Sequence, residues 1–170
     1  MTVRDGPDRR LSRAVLREIE GLHRFFEDWF LGRCPDDAAT FARCADALAA
    51  DFVRIGADGR VERRAGLIRA LRAAHGCHAG TVFAIRIRRS TVRLTHRGLA
   101  LATYEEWQRH GERTTGRRST ALLAAAPGAP AGVAWLHLQE TWIAGRDRRL
   151  TAAPARRSIA VHGSPRPERR

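Results

Sequence analysis

The hydrophobic period of this chain changes near Gly80. Before that point apolar residues recur every three or four positions, the repeat of a helix with one buried face. Leu16, Ile19, Leu22, Phe26, Trp29 and Phe30 mark the first such face, with Ser12 predicted as its N-cap and Gly32 as its stop. A second helix is predicted from Asp36 or Asp37, with Phe41, Cys44, Ala45 and Leu48 inward. "FVRIGADGRVE" reads as a small hairpin turning at Asp58-Gly59. A third helix follows, with Leu67, Ile68 and Leu71 inward and Gly76 as its stop.

After Gly80 the residues alternate. "TVFAIRIRRSTVRL", "GLALATYEEWQRHG", "GRRSTALLAAAP" and "GVAWLHLQETWI" read as four strands joined by links short enough for hairpins. Helices segregated ahead of strands predict an α+β domain in which one sheet wraps the first helix. A strongly curved sheet would close a cone around a cavity.

Composition narrows the function. At 170 residues the chain is one domain with a proper core. Neither an apolar stretch of membrane-spanning length nor a secretory leader is read, which predicts a cytoplasmic protein. Cys34, Cys44 and Cys77 form no paired framework and are expected to be reduced thiols, mostly buried. The "HGCH" cluster of His75, Cys77 and His78 lacks the close four-ligand spacing of zinc, so no metal is expected, and no cofactor either. The net charge is +13, carried by arginine with no lysine. Much of it lies in residues 145–170, where eight arginines face two acids. A basic end of that kind is expected to be solvated, and nucleic acid is not the expected partner. There is no phosphate-binding glycine loop, no Gly-x-Ser-x-Gly elbow and no metal-binding His-Glu pair, which excludes nucleotide and serine hydrolases.

Four stretches in order, "LHRFFEDWF", "FVRIGADGRVE" leading into "LIRALRAAHG", "YEEWQ" and "WLHLQETW", resemble the nuclear transport factor 2-like superfamily. The resemblance is strongest to its SnoaL-like group and to the association domains of calcium/calmodulin-dependent kinases. It implies a cone-shaped α+β fold, with three N-terminal helices packed on a strongly curved mixed or antiparallel sheet over residues 12–143. Residues 1–11 would be a flexible N-terminus and residues 144–170 a basic, disordered tail. It also implies a pocket between the first helix and the concave face, and a homodimer through the convex face.

Within that frame alternation divides the strand "WLHLQETWI" into two faces. Leu136, Leu138, Glu140 and Trp142 are expected inside, and Trp135, His137, Gln139 and Thr141 at the partner subunit. On "YEEWQ" the comparison with the kinase association domains places Thr103, Glu105 and Trp107 inside, leaving Tyr104 and Glu106 at the interface. Arg117, Ser119 and Ala121 would point inward from the neighbouring strand. With His23 and Phe26 from the first helix these residues make the expected ligand site.

Two carboxylates, Glu105 and Glu140, in one apolar cone would repel each other and one pKa would rise, as a general acid or base near neutral pH requires. His23, Ser119 or Arg117 would then steady a developing oxyanion. The same glutamates could equally pair with arginines and hold strands together. The function expected first is therefore binding of a small apolar or carbonyl-containing molecule by a homodimer. The alternatives are a proton-transfer enzyme of the isomerase, cyclase or hydratase kind, and an oligomerising association module.

Overall fold

A computed structural model describes residues 8–143, so the proposed arginine-rich tail and residues 1–7 lie outside it. The first helix, α1, spans Arg9–Phe30 and begins one turn earlier than Ser12 suggests. Asp8 is the cap: its Oδ1 accepts from the backbone N–H of Arg10 at 2.9 Å and of Leu11 at 3.2 Å. Ser12 is already bonded within the helix, its N–H donating to Asp8 O, so no free N–H is left for it to cap. At the other end Gly32 takes φ +66°. Its N–H and that of Arg33 donate to Trp29 O and Asp28 O, the paired bonds that close a helix on a left-handed residue.

The second helix, α2, spans only Ala38–Ala45, capped by Asp37 through a 2.7 Å bond from Thr40 N–H. Leu48, expected on that helix, instead opens strand β1 (Leu48–Ile55), which turns into β2 (Val61–Arg63) and α3 (Arg64–Ala73). Four long strands follow: β3 (Phe83–His96), β4 (Leu99–His110), β5 (Arg113–Ala125) and β6 (Val133–Trp142).

All six strands form one sheet in the order β2-β1-β6-β5-β4-β3. Its pairings are antiparallel except β1 with β6, which run parallel. The sheet is thus mixed, and β2 and β3 remain its open edges. Irregular registers interrupt β3 at Arg88–Thr91, where Arg89 has φ 53°, and the β5–β6 pair at Leu122/Leu123. Such bulges bend and twist a sheet, here toward the helix it covers.

Helix α1 packs chiefly on β3 and also touches β4 and β6. It buries Leu11, Val15, Ile19, Leu22 and Trp29, while Leu16 stays half-buried. Full burial of each such side chain contributes about 1.5–3 kcal/mol. Trp29 is wholly enclosed; its Nε1–H donates to Leu71 O at 2.8 Å, and the Arg72 guanidinium lies 5.1 Å from its ring centre. That contact fixes α3 against the end of α1.

One charge sits in the same stripe. Glu18 has no exposed surface and accepts two hydrogen bonds from Arg43, at 3.1 and 2.7 Å, and a third from Trp135 Nε1–H at 3.2 Å. This tie joins α1, α2 and β6. The three cysteines are free: Cys44 is buried, with burial pushing its thiol up to about 12, Cys34 is half-buried and Cys77 is exposed. Among the described residues no helix is long and apolar enough to cross a membrane.

Candidate functional site

Between α1 and the concave face lies a cavity of about 200 Å³. One end is apolar, formed by Leu22, Phe26 and Phe30 of α1, Leu67 and Leu71 of α3, and Ile85 of β3. Leu48, Phe52, Trp135 and Leu138 close the wall along β1 and β6. The other end is polar and collects His23, Arg54, Tyr104, Glu106, Gln108, Arg117 and Glu140.

Strand register builds the polar end. Glu106 of β4 lies opposite Arg117 of β5, and Tyr104 lies opposite Ser119, which in turn pairs with Glu140 of β6. Directly opposed residues share a face, so one row of side chains turns inward together. Glu106 accepts from Arg117 at 2.8 and 3.1 Å and from Gln108 Nε2 at 2.7 Å, with His23 Nε2 3.3 Å away. The other nitrogen of His23, Nδ1, is 2.6 Å from Ile19 O, which orients the ring from within α1. Glu140 is clamped from both sides: Arg117 Nε is 3.2 Å from one oxygen, and Arg54 Nε donates to the other at 2.8 Å. Arg54 also donates to Glu62 at 2.6 Å, carrying the chain of charges to β2.

Burial alone would raise the pKa of Glu106. His23 and Arg117 outweigh it by charge and hydrogen bonding, and hold the carboxyl far below the usual carboxylate range. Tyr104 shifts the opposite way. Burial, reinforced by the charge of Glu106, keeps its phenol protonated well above the ordinary value, despite the nearby Ser119 hydroxyl. The Tyr104 and Ser119 hydroxyls face each other across the β4–β5 pair, and neither oxygen is exposed.

The expected site residues divide. His23, Phe26, Arg117 and Glu140 line the cavity. Ser119 turns inward but lies behind the lining, and Trp142 is 53% exposed at the end of β6. On β4 the expected facing is reversed. Tyr104 and Glu106, assigned to the interface, line the cavity, and Thr103, Glu105 and Trp107 occupy the outer face. Thr103 accepts there from Arg93. Glu105 is covered by Arg89, Arg118 and Trp107, with bonds of 3.2, 3.0 and 3.2 Å, and the Arg118 bond leads in lowering its pKa. Glu105 and Glu140 therefore never share a site.

Trp135 is also reversed: it is 2% exposed and lines the cavity. The register slip at Leu122/Leu123 inserts Leu136 as an extra residue, so Trp135 and Leu138 face the same way. His137, Gln139 and Thr141 keep the outer face, the first two half-buried and Thr141 exposed. Glu18, Arg54 and Gln108 were not foreseen. A glutamate between Val15, Ile19 and Leu22, on an otherwise apolar face, was the available signal for the first. The "HGCH" cluster gathers no metal site: His75 bonds to Cys34 O, His78 stacks on Phe83, and the described residues hold no metal-competent group of three.

The family profile described as "Sucrose-6-phosphate phosphohydrolase C-terminal" matches residues 17–144, from the third turn of α1 through β6. The chain belongs to that family. The match spans every element that lines the cavity. No curated protein matches the chain. Solved structures give the fold a second name. An NTF2-like protein of unknown function from Pseudomonas aeruginosa is 26% identical, with a TM-score of 0.68 over 76% of this chain and 98% of that one. The CaMKII hub of S. rosetta is 14% identical, with a TM-score of 0.57 over 83% and 100%. A putative ketosteroid isomerase from Parabacteroides distasonis is 9% identical, with a TM-score of 0.52 over 78% and 88%. This member of the sucrose-6-phosphate phosphohydrolase C-terminal family thus has the NTF2-like α+β fold.

Proposed function

We propose that this protein binds a small, largely apolar molecule inside the cone, as a cytoplasmic homodimer joined through the outer face of the sheet. The observation that carries the reading is a cavity with an aromatic and aliphatic end and a few convergent polar groups, the usual make-up of a small-molecule site. The outer face supports the dimer. Leu101, Leu122 and His137 lie there half-buried, paired in one row across neighbouring central strands, which suits a two-fold contact.

Binding is favoured over proton transfer by the state of the carboxylates. A general base must be able to take up a proton near working pH, and Glu106, held far below the usual carboxylate range, takes one up poorly, while Glu140 is gripped by two arginines. It is also favoured over recognition of a sugar phosphate, because Arg54 and Arg117, the arginines of the lining, are both engaged by carboxylates.

Titration calorimetry with neutral single-ring molecules tests the reading. One molecule should bind per chain, and Leu71→Phe, which fills the apolar end, should weaken binding about tenfold or more while the protein stays folded. Undiminished binding to a folded Leu71→Phe protein would place the ligand elsewhere.

A further inference from the structure

We infer that one end of the molecule docks on the surface of a membrane containing anionic phospholipid, through arginines grouped around the β3–β4 turn. This surface is separate from the cavity, and the inference stands independently of what the cavity holds.

Three segments meet at that end. The β3–β4 turn is Arg97-Gly98, between His96 and Leu99. Asp8 N–H donates to Thr95 Oγ1 at 2.8 Å, which brings the start of α1 to the turn. Ala125 N–H donates to Gly98 O at 2.7 Å, which brings the link between β5 and β6. Arg9, Arg10 and Arg13 are exposed on α1, and Arg93 and Arg97 on the hairpin. Among the described residues none of the five pairs with a carboxylate; Arg13 donates to Arg9 O and Arg93 to Thr103 Oγ1. Asp8, the acid at this end, already accepts from the first turn of α1.

Folding does not call for arginine at these places. A helix start favours acidic side chains, and the first turn of α1 has none. Arg97 has φ 48°, in the left-handed region, where asparagine or glycine suits a two-residue turn better. Positive charge is therefore kept here against local preference, and a layer of lipid phosphates is its complement.

The uncharged surface between the arginines selects that partner. Leu99, beside the turn, is 39% exposed. The β5–β6 link over residues 126–132 reads "APGAPAG", carries no charge, and exposes Pro127 and Pro130. A nucleic acid gains nothing from such surface, and none of the three segments has a Phe, Tyr or Trp on which a base would stack. The headgroup layer of a bilayer takes phosphate contacts and apolar groups side by side, as proteins that lie on a membrane require.

Cosedimentation of the full chain with vesicles tests the proposal, using phosphatidylcholine alone and phosphatidylcholine with one third phosphatidylglycerol. The wild type should bind the mixed vesicles at about 0.1 M salt, leave them at about 0.5 M, and ignore the neutral ones. Arg9→Gln/Arg10→Gln/Arg97→Asn should weaken binding about a hundredfold, at roughly fivefold per arginine, with the fold checked by circular dichroism. Residues 145–170 also hold eight arginines, so Arg156→Gln/Arg157→Gln/Arg166→Gln is the matched control and should weaken binding less than tenfold. Leu99→Ser should weaken vesicle binding about threefold or more and leave binding to a short DNA duplex unchanged. A loss in the control as large as in the first variant would move the contact off this end. A duplex bound more tightly than the mixed vesicles, and released by the first variant, would make the partner a nucleic acid. No binding to the mixed vesicles would overturn the proposal outright.

Discussion

Glu106 and Arg117 stand opposite each other on β4 and β5 and meet through two hydrogen bonds, of 2.8 and 3.1 Å. The same carboxylate faces His23 from α1, and the same guanidinium reaches Glu140 on β6. One ion pair thus fastens the helix to three strands at the polar end of the cavity.

Removing that carboxylate should be costly and dependent on pH. Glu106→Gln leaves Arg117 short of a counter-charge and His23 without its carboxylate neighbour, for a loss of about 3–5 kcal/mol at pH 7. Because folding lowers the pKa of Glu106, its contribution is complete above the ordinary carboxylate value and is lost as pH falls toward the folded value. The gap between wild type and Glu106→Gln should therefore narrow below about pH 4.5. Chemical denaturation at pH 7 and pH 3.5 measures both gaps.

The Glu18 tie gives a prediction on the far side of α1. Arg43→Met strands a carboxylate that has no exposed surface, with only Trp135 Nε1–H left to it. Stability should fall by about 3 kcal/mol, and Glu18→Gln introduced together with Arg43→Met should recover part of it. Urea unfolding of the single and double variants reads the difference.

Gly116 exists for Trp107. A Cβ at Gly116 would meet three ring carbons of Trp107 at 2.8–3.0 Å. Gly116→Ala should cost about 1–3 kcal/mol and shift the tryptophan emission, because the ring must leave the outer face of the sheet. Since Trp107 does not line the cavity, ligand affinity should stay within twofold.

The dimer is tested through Leu122, half-buried on the outer face opposite His137. Leu122→Asp should give a species of one chain mass in sedimentation velocity, where the wild type gives two. It should not change the cavity, because Leu122 and the inward Leu123 point to opposite faces.

The order of elements was legible because each half of the chain keeps one hydrophobic period. The facing of the strands was not. In "YEEWQ" each face carries one aromatic residue and one glutamate, so alternation offers no preference between Tyr104 with Glu106 and Glu105 with Trp107. Arg117 and Ser119 were placed inward, and the pairing of Glu106 with Arg117 carries the correct β4 face, but pairing is a property of the folded sheet. In "WLHLQETWI" the bulge at Leu136 turns Trp135 inward beside Leu138, and no glycine or proline in that stretch announces it. The parallel join of β1 to β6 brings Arg54 to Glu140 across 86 residues of sequence, beyond the reach of any local pattern.

The central claim is that a small molecule occupies the space between α1 and the concave sheet. Proton NMR of the protein with a neutral single-ring molecule bound tests it most directly, through nuclear Overhauser contacts from the ligand ring. Contacts are expected to the methyl groups of Leu71, Ile85 and Leu138, which line the interior together. Contacts confined to Leu101 and Leu122 would put the ligand on the outer face and contradict it.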